Sequence, residues 1–373
     1  PDMASMIHNE MRKHGIKLVL GYTVEGFKEK DNGVEVLLKD NPSLQADMVV
    51  LAIGVTPDTV LAKEAGLELG IKESIVVNDR METSVPDIYA AGDAVQVKHY
   101  VTGNDALISL AGPANKQGRI IADNICGGDS RYLGSQGSSV IKVFDMTAAT
   151  TGINETNAKK SGLEVDTVIL SPMSHAGYYP GGKVMTMKVV FEKESYRLLG
   201  AQIIGYEGVD KRIDVLATAI HAGLKATQLK DLDLAYAPPY SSAKDPVNMA
   251  GFMIDNIAKG TLKQWHLEDM DKISKDKDVV LLDVRTVGEF SRGHIDGFKN
   301  IPVDELRERI SEIEKGKPVY LICQSGLRSY IASRILEGNG YETYNFSGGF
   351  RFYDAVVNDR ALIERAYACG MDY

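Results

Sequence analysis

Residues 319–329 read Val319-Tyr320-Leu321-Ile322-Cys323-Gln324-Ser325-Gly326-Leu327-Arg328-Ser329. The first four are β-prone and apolar or aromatic, the pattern of a short buried strand. From Ser329 to Glu337 the sequence reads as a helix. Cys323 therefore stands where a strand ends, just ahead of a helix N-terminus. Backbone N–H groups of such a turn point at whatever the sulfur carries, and the helix dipole favours negative charge there. Cysteines in that setting belong to the reactive kind. Ser325 and Gly326 would line the loop that meets the sulfur's cargo, and Arg328 adds a planar cationic fork for an anion. A lone cysteine is more often a small buried hydrophobe. Gly326, Arg328 and the upstream run Asp283-Val284-Arg285 weigh against that reading here.

An anion cradle around a cysteine serves either sulfur transfer or phosphate-ester hydrolysis. Four residues separate Cys323 from Arg328, a loop shorter than that of the cysteine phosphatases and suited to a bare sulfane sulfur. Further motifs follow the same line: Leu281-Leu282-Asp283-Val284-Arg285, Glu289-Phe290, Gly293-His294-Ile295-Asp296-Gly297 and Asn300-Ile301-Pro302. With these, residues 262–360 resemble the rhodanese (sulfurtransferase) domain. The resemblance implies that Cys323 is the catalytic sulfur carrier and Arg328 part of its site. Strands over 279–283, 319–322 and 341–345 alternate with helices over 288–292, 303–313 and 329–337, which predicts a doubly wound parallel sheet. Asp283 and Arg285 read as supports of the loop. Arg351 is either a further anion contact or a surface arginine.

The chain has 373 residues, enough for several domains, and its hydrophobic share of 44% and charged share of 25% are ordinary for a soluble protein. A net charge of −9 argues against nucleic acid as the main partner. No apolar run approaches the length of a membrane span. Three cysteines, Cys126, Cys323 and Cys369, make no disulfide framework, which suits a reducing, cytoplasmic setting. Cys369 reads as a tail residue without a role. His266 and His294 lack partners at metal spacing, so no metal site is expected.

The N-terminal portion reads as a helix over 4–14, strands over 16–20, 24–28 and 34–38 with a hairpin at Asn32-Gly33, then the apolar run Met48-Val49-Val50-Leu51-Ala52-Ile53. That run has the form of a parallel strand buried on both faces. It ends at Gly54-Val55-Thr56-Pro57, where glycine would let the backbone approach a ligand closely. Thr83 to Asp93 follow the pattern Thr-x-x-Pro-x-Ile-Tyr-Ala-x-Gly-Asp, with a strand over 88–91, a turn at Gly92 and a carboxylate at Asp93. Asp93 could equally cap the next helix. A third stretch runs Leu110-Ala111-Gly112-Pro113-Ala114-Asn115-Lys116-Gln117-Gly118-Arg119.

In this order the three passages resemble the flavin-dependent pyridine nucleotide–disulfide oxidoreductases. The resemblance implies cofactors FAD and NAD(P)H. It places Gly54, Gly92, Asp93 and Ala111 at cofactor positions, with Asp93 on the ribitol and diphosphate. A helix over 113–124 would bring Lys116 and Gln117 near the isoalloxazine. No Gly-x-Gly-x-x-Gly opens a strand–helix unit here. Both dinucleotide fingerprints and the redox cysteine are therefore expected upstream, in a longer protein. Residues 1–57 then read as the end of an NAD(P)H-binding domain and 58–130 as the end of an FAD-binding domain.

Residues 137–258 form a third unit, α+β in pattern: a strand from Val140, a helix ending over 158–162, an antiparallel strand pair over 184–191 and 199–206, and a helix over 210–223 with Ile213, Leu216, Ala217 and Ile220 on one face. In the family this is the dimerisation domain, which implies a homodimer. Two loops, His175-Ala176-Gly177-Tyr178-Tyr179-Pro180-Gly181-Gly182 and Leu234-Ala235-Tyr236-Ala237-Pro238-Pro239-Tyr240-Ser241, carry paired aromatics. They resemble loops of the coenzyme A–disulfide reductases within the family. The phenols of Tyr178 and Tyr236 are suited to hydrogen-bond or protonate a thiolate leaving group or else to pack at an interface, and the resemblance favours the first; Lys244 is suited to meet a phosphate. Tyr179 and Tyr240 read as packing. Residues 260–267 read as a linker anchored by Trp265. The expected activity is NAD(P)H-dependent, flavin-mediated reduction of a coenzyme A persulfide or disulfide, coupled to sulfane sulfur on Cys323. The alternatives are an NADH oxidase with an appended sulfurtransferase, and a non-catalytic sulfur carrier.

Overall fold

The computed structural model describes residues 2–369. These divide into two compact units, the residues up to Glu10 with Ser138–Asn358, and Met11–Gly137 with the residues from Asp359 on.

The smaller unit holds an antiparallel three-stranded sheet of β1 (Val24–Lys30), β2 (Gly33–Leu38) and β3 (Asn41–Ala46). The β1–β2 turn is Asp31-Asn32, and Gly33 opens β2 opposite Lys30. Gly33 has φ +128, and a Cβ there would lie 2.4 Å from Ala46 O, so glycine is needed twice over. A second sheet pairs β4 (Ile75–Val76), β5 (Val95–Lys98) and β6 (Asp105–Ala106) over a small core of Met81, Val95 and Val97. The helix Ala111–Ile125 packs beside it.

Three expectations fail in this unit. Residues 16–20 form no strand, and the expected strand over 88–91 reduces to a single bridge between Glu82 and Tyr89. The apolar run 48–53 forms no strand and is open to solvent, with Met48 76% and Ile53 88% exposed. A run patterned for burial on both faces is buried only where strands and helices lie against it, and none does among the described residues.

The larger unit carries two five-stranded sheets. The first, in order β7-β8-β11-β10-β9, is antiparallel throughout: β7 (Ser139–Val143), β8 (Met146–Gly152), β9 (Val165–Leu170), β10 (Met185–Glu192) and β11 (Leu198–Gly205). Met185 to Phe191 are all buried, so its centre is covered on both faces. The helix Val209–His221 packs on β8 and β11 through Ile213, Leu216 and Ile220. The helix Pro246–Ala258, which the sequence reading passed over, is started by Asp245, whose carboxylate accepts from Val247 N, with Pro246 in its first turn.

The second sheet is parallel throughout, in order β12-β16-β15-β13-β14: β12 (Gln264–Trp265), β13 (Val280–Asp283), β14 (Lys299–Asn300), β15 (Val319–Ile322) and β16 (Thr343–Phe346). This is the expected doubly wound domain, with two corrections. Residues 303–313 are turns ending in a single 3-10 turn, Ile310–Glu312, instead of a helix. The stretch read as a linker supplies edge strand β12. Trp265 is buried there against Phe346, Phe298 and Tyr320 and shares a core cluster with Met146, Ile169 and Ile204 of the antiparallel sheet. Asp166 of β9 accepts from Gln264 and His266, and Ile169 N donates to Ser347 Oγ at 3.0 Å. The two sheets thus share apolar core and hydrogen bonds. Among the described residues no helix is long and apolar enough to cross a membrane. The side chain of Cys369 lies outside the described residues.

Candidate active sites: a cysteine loop and a phenol pair

Cys323 stands at the C-terminal end of β15, fully buried. Gly326 N donates to Sγ at 3.1 Å, and Ser329 Oγ lies 3.2 Å from it. Gly326 caps the helix Leu327–Glu337 with φ +100, a conformation that turns its N–H back onto the sulfur. The loop is pinned from outside. Phe350 N donates to Cys323 O at 2.8 Å, Arg351 N to Gln324 O at 3.1 Å, and Asn345 Nδ2 to Gly326 O at 3.2 Å. Any Cβ on Gly349 would sit 2.7 Å from the backbone of Gln324 and Ser325, so the glycine pair lets the next helix close over the loop.

The cations are arranged differently from expectation. Arg328 is not an open fork: Nη1 and Nη2 each donate to Glu289, both at 2.7 Å. This pairing holds the Glu289 carboxyl down at about 2, helped by hydrogen bonds from Thr286. Thr286 and Glu289 form a reciprocal cap on the helix Val287–Ser291. Arg285 is buried in an ion pair with Asp283 at 2.7 Å, donates to Gly293 O and lies 3.8 Å over the Phe350 ring. Asp283 and Arg285 therefore brace the strand end beneath the loop. Of the Arg351 side chain the structure shows only that it is exposed.

The second constellation lies on the antiparallel half of the same unit. The hydroxyls of Tyr178 and Tyr236 are 2.7 Å apart, though 58 residues separate them in sequence. Both rings are exposed, Tyr178 at 76% and Tyr236 at 45%. The hydrogen bond to Tyr178, with some loss of water, raises the Tyr236 phenol above its ordinary value. Behind Tyr236 lies a cavity of about 460 Å³ lined by His175, Glu207, Lys211, Arg212 and Tyr240 among others. Lys244 is absent from that lining, and its ammonium lies 5.9 Å from the Phe252 ring. Tyr179 meets His175 edge-on. Arg212, buried between the two tyrosine loops, went unassigned in the sequence reading. Its signal was a charge on the apolar face of a helix, one turn before Leu216.

In the smaller unit, Gly92 turns at φ +83 and Asp93 is exposed beside the first turn of the helix Ala111–Ile125, whose N-terminus no side chain caps. An exposed carboxylate next to uncapped N–H donors suits a ligand bearing both hydroxyls and acceptor oxygens, as FAD does. Lys116 and Ala111 are exposed on that helix. Gln117 turns the other way: it is buried and accepts from Gly92 N at 2.7 Å, so it supports the Gly92–Asp93 turn from behind. Gly54 lies in the exposed run with open space around it. Among the described residues no cluster of His, Cys, Asp or Glu is placed to hold a metal.

These features meet in known proteins. Residues 1–118 match the pyridine nucleotide-disulphide oxidoreductases and 138–246 their dimerisation domain. The chain belongs to the pyridine nucleotide-disulphide oxidoreductase family. Residues 266–355 match the rhodanese-like domain. The chain is similar to reduced Bacillus anthracis CoADR-RHD, with 46% identity, TM-score 0.92, and 96% of this chain and 64% of that one covered. It is also similar to an NAD-dependent persulfide reductase from A. fulgidus, with 40% identity, TM-score 0.86, and 94% and 64% covered. A curated relative, the NAD(P)H sulfur oxidoreductase (CoA-dependent) of Pyrococcus abyssi, is 36% identical over 246 residues, 66% of this chain and 54% of its own. The chain thus spans little more than half the length of the curated relatives it matches.

Proposed function

We propose that this chain is the part of a flavin-dependent reductase that handles substrate sulfur: it works on a coenzyme A persulfide or disulfide, and Cys323 carries sulfane sulfur. The observation that carries the reading is the coexistence, in one compact unit, of a buried cysteine cradled by N–H and hydroxyl donors and an exposed pair of phenols in mutual hydrogen bond. The names of several relatives point to the same substrates, whereas another is named NADH oxidase and stands with the rival reading.

Each group then has a task. The Cys323 thiolate attacks the outer sulfur of a persulfide. A bond forms to Sγ, the substrate's S–S bond breaks, and the electron pair leaves with the donor thiolate. The Gly326 N–H and Ser329 hydroxyl steady charge on the cysteine side. Tyr178 and Tyr236 supply a proton to a thiolate leaving from the reductive site, the positioned-acid role that phenols can fill. FAD, which the family implies and the Asp93 region suits, would supply electrons from NAD(P)H when bound. Asp93, Gly92 and the helix from Ala111, with Lys116 exposed on its first turns, would hold it. Lys211, on the lining of the cavity behind Tyr236, is better placed than Lys244 to meet an anionic part of the substrate. The dimerisation domain and the exposure of both phenols favour a homodimer in which the pair serves a substrate held by the other subunit. The cysteine count favours a cytoplasmic setting.

The test is Tyr236→Phe in the full-length enzyme. NADH oxidation with coenzyme A persulfide should slow by about a hundredfold or more, the usual scale for a lost general acid, with sulfide release falling in step. Unchanged turnover removes the phenol from the chemistry. Oxygen consumption in place of sulfide release would make the protein an oxidase.

A further inference from the structure

The loops that carry the two phenols meet on one buried guanidinium. Arg212, on the helix Val209–His221, is 1% exposed. Its Nη2 donates to Ser174 O at 2.9 Å, at the start of the Tyr178 loop, and to Ser241 Oγ at 3.1 Å and Tyr240 O at 3.3 Å, at the end of the Tyr236 loop. Nε and Nη2 both reach Asp245 Oδ2, at 3.2 and 3.0 Å, and Ser241 Oγ donates to the same oxygen at 2.7 Å. Nη1 donates to Gly208 O. One backbone bond, Ala176 N to Ser241 O at 2.9 Å, ties the loops directly.

We propose that Arg212 is a positioning residue for the phenol pair: by clasping both loops it holds the Tyr178 and Tyr236 hydroxyls in hydrogen-bond contact and so determines which of them offers a proton.

Three features support the assignment. Only a guanidinium supplies enough donors, in one rigid plane, to bind two loops and a carboxylate together; an ammonium is a point charge with three. Asp245 compensates the buried charge and is itself fixed as the cap of the helix Pro246–Ala258, so the clasp is anchored to two helices. Gly208 leaves room for it, because a Cβ there would fall 2.1 Å from Nη1. The charged and titratable groups sharing the cavity with Tyr236 are His175, Glu207, Lys211 and Tyr240. Arg212 lines the same cavity yet touches neither phenol oxygen, so its influence passes through the loops.

The inference rests on the reading of the pair as an acid at the substrate, and the experiment keeps the two apart. Full-length enzyme labelled with 3-fluorotyrosine is titrated by fluorine NMR, the Tyr236 signal being assigned by its loss in Tyr236→Phe. In Arg212→Lys the Tyr236 midpoint should move down toward that of a free fluorophenol. In steady-state kinetics Arg212→Lys should lower kcat about tenfold with KM within about twofold, and it should cost nothing more in the Tyr236→Phe background. A folded Arg212→Lys protein with an unmoved Tyr236 titration overturns the proposal, as does an equal loss of kcat in both backgrounds. If Tyr236→Phe itself leaves turnover intact, the functional reading fails while the NMR arm still decides the clasp. Should Arg212→Lys not fold, Ser241→Ala removes one strand of the clasp: a smaller downward shift supports the proposal, and no shift overturns it.

Discussion

The cysteine loop and the phenol pair belong to one compact unit but are built on opposite plans. Cys323 is fully buried, and the hydrogen bonds that reach its sulfur and pin the backbone of its loop come from Gly326, Ser329, Asn345, Phe350 and Arg351. The phenols are exposed, and their support lies behind them in Arg212 and Asp245. Sulfane sulfur is reactive toward any thiol, so a carrier gains by enclosing it. A proton donor for a substrate arriving from elsewhere must face outward, and rigidity from behind is then its main means of precision. On the proposed function, burial at the first site and buttressing at the second answer the same positioning problem for cargo from different directions.

The sharpest way to break this contrast is Cys323→Ser. A persulfide donor should leave sulfane sulfur on the wild-type protein, visible by mass spectrometry as an added sulfur on the peptide containing Cys323. In Cys323→Ser the added mass should be absent altogether, while the Tyr178–Tyr236 hydrogen bond is untouched. Sulfur retained elsewhere in the variant would move the carrier to another residue.

Next in size is Trp265→Ala. The indole is buried in a core that joins the two sheets, and removing a ring from such a site costs about 3–5 kcal/mol. Because Met146, Ile169 and Ile204 share that core, the loss should appear in one transition of denaturant unfolding that carries both halves together. Two separated transitions would show that the phenol pair and the cysteine loop sit on independently stable domains, and the contrast would become one between neighbours instead of partners.

How much of this was legible beforehand follows the range of the interactions. The parallel sheet was readable because Val319–Ile322, Leu281–Asp283 and the loop glycines announce themselves locally. Met48–Ile53 read as a buried strand for the same local reason and proved exposed, since burial depends on neighbours the run itself cannot encode. Residues 303–313 carried a helical pattern that tertiary packing overrode with turns. At the sites, Cys323 and the two tyrosines were visible as residue types in suggestive loops. The partners of the arginines were not: Arg328 finds Glu289, 39 positions away, and Arg212 finds Asp245, 33 positions away. Arginine types were easy to nominate, but whether each was open to an anion or already satisfied required the fold.

The smallest effect tests that last point. Glu289 is held at about 2, first by its bidentate hydrogen bonds from Arg328, whereas an unfolded glutamate titrates near its ordinary 4.5. A carboxyl depressed in the folded state favours folding whenever it is ionised. Its contribution is therefore complete above about pH 5 and is lost as pH falls from about 4.5 toward 2. With both side chains partly exposed, the pair is worth about 1 kcal/mol at most. Glu289→Gln preserves the reciprocal cap with Thr286, since glutamine serves there as well, so what it removes is charge. The stability difference between wild type and Glu289→Gln should be flat from neutral pH down to about 5 and should shrink to near nothing by pH 2. If the two curves stay parallel over that range, Glu289 is not clamping the guanidinium, and Arg328 is free to be the anion fork that its place in the loop first suggested.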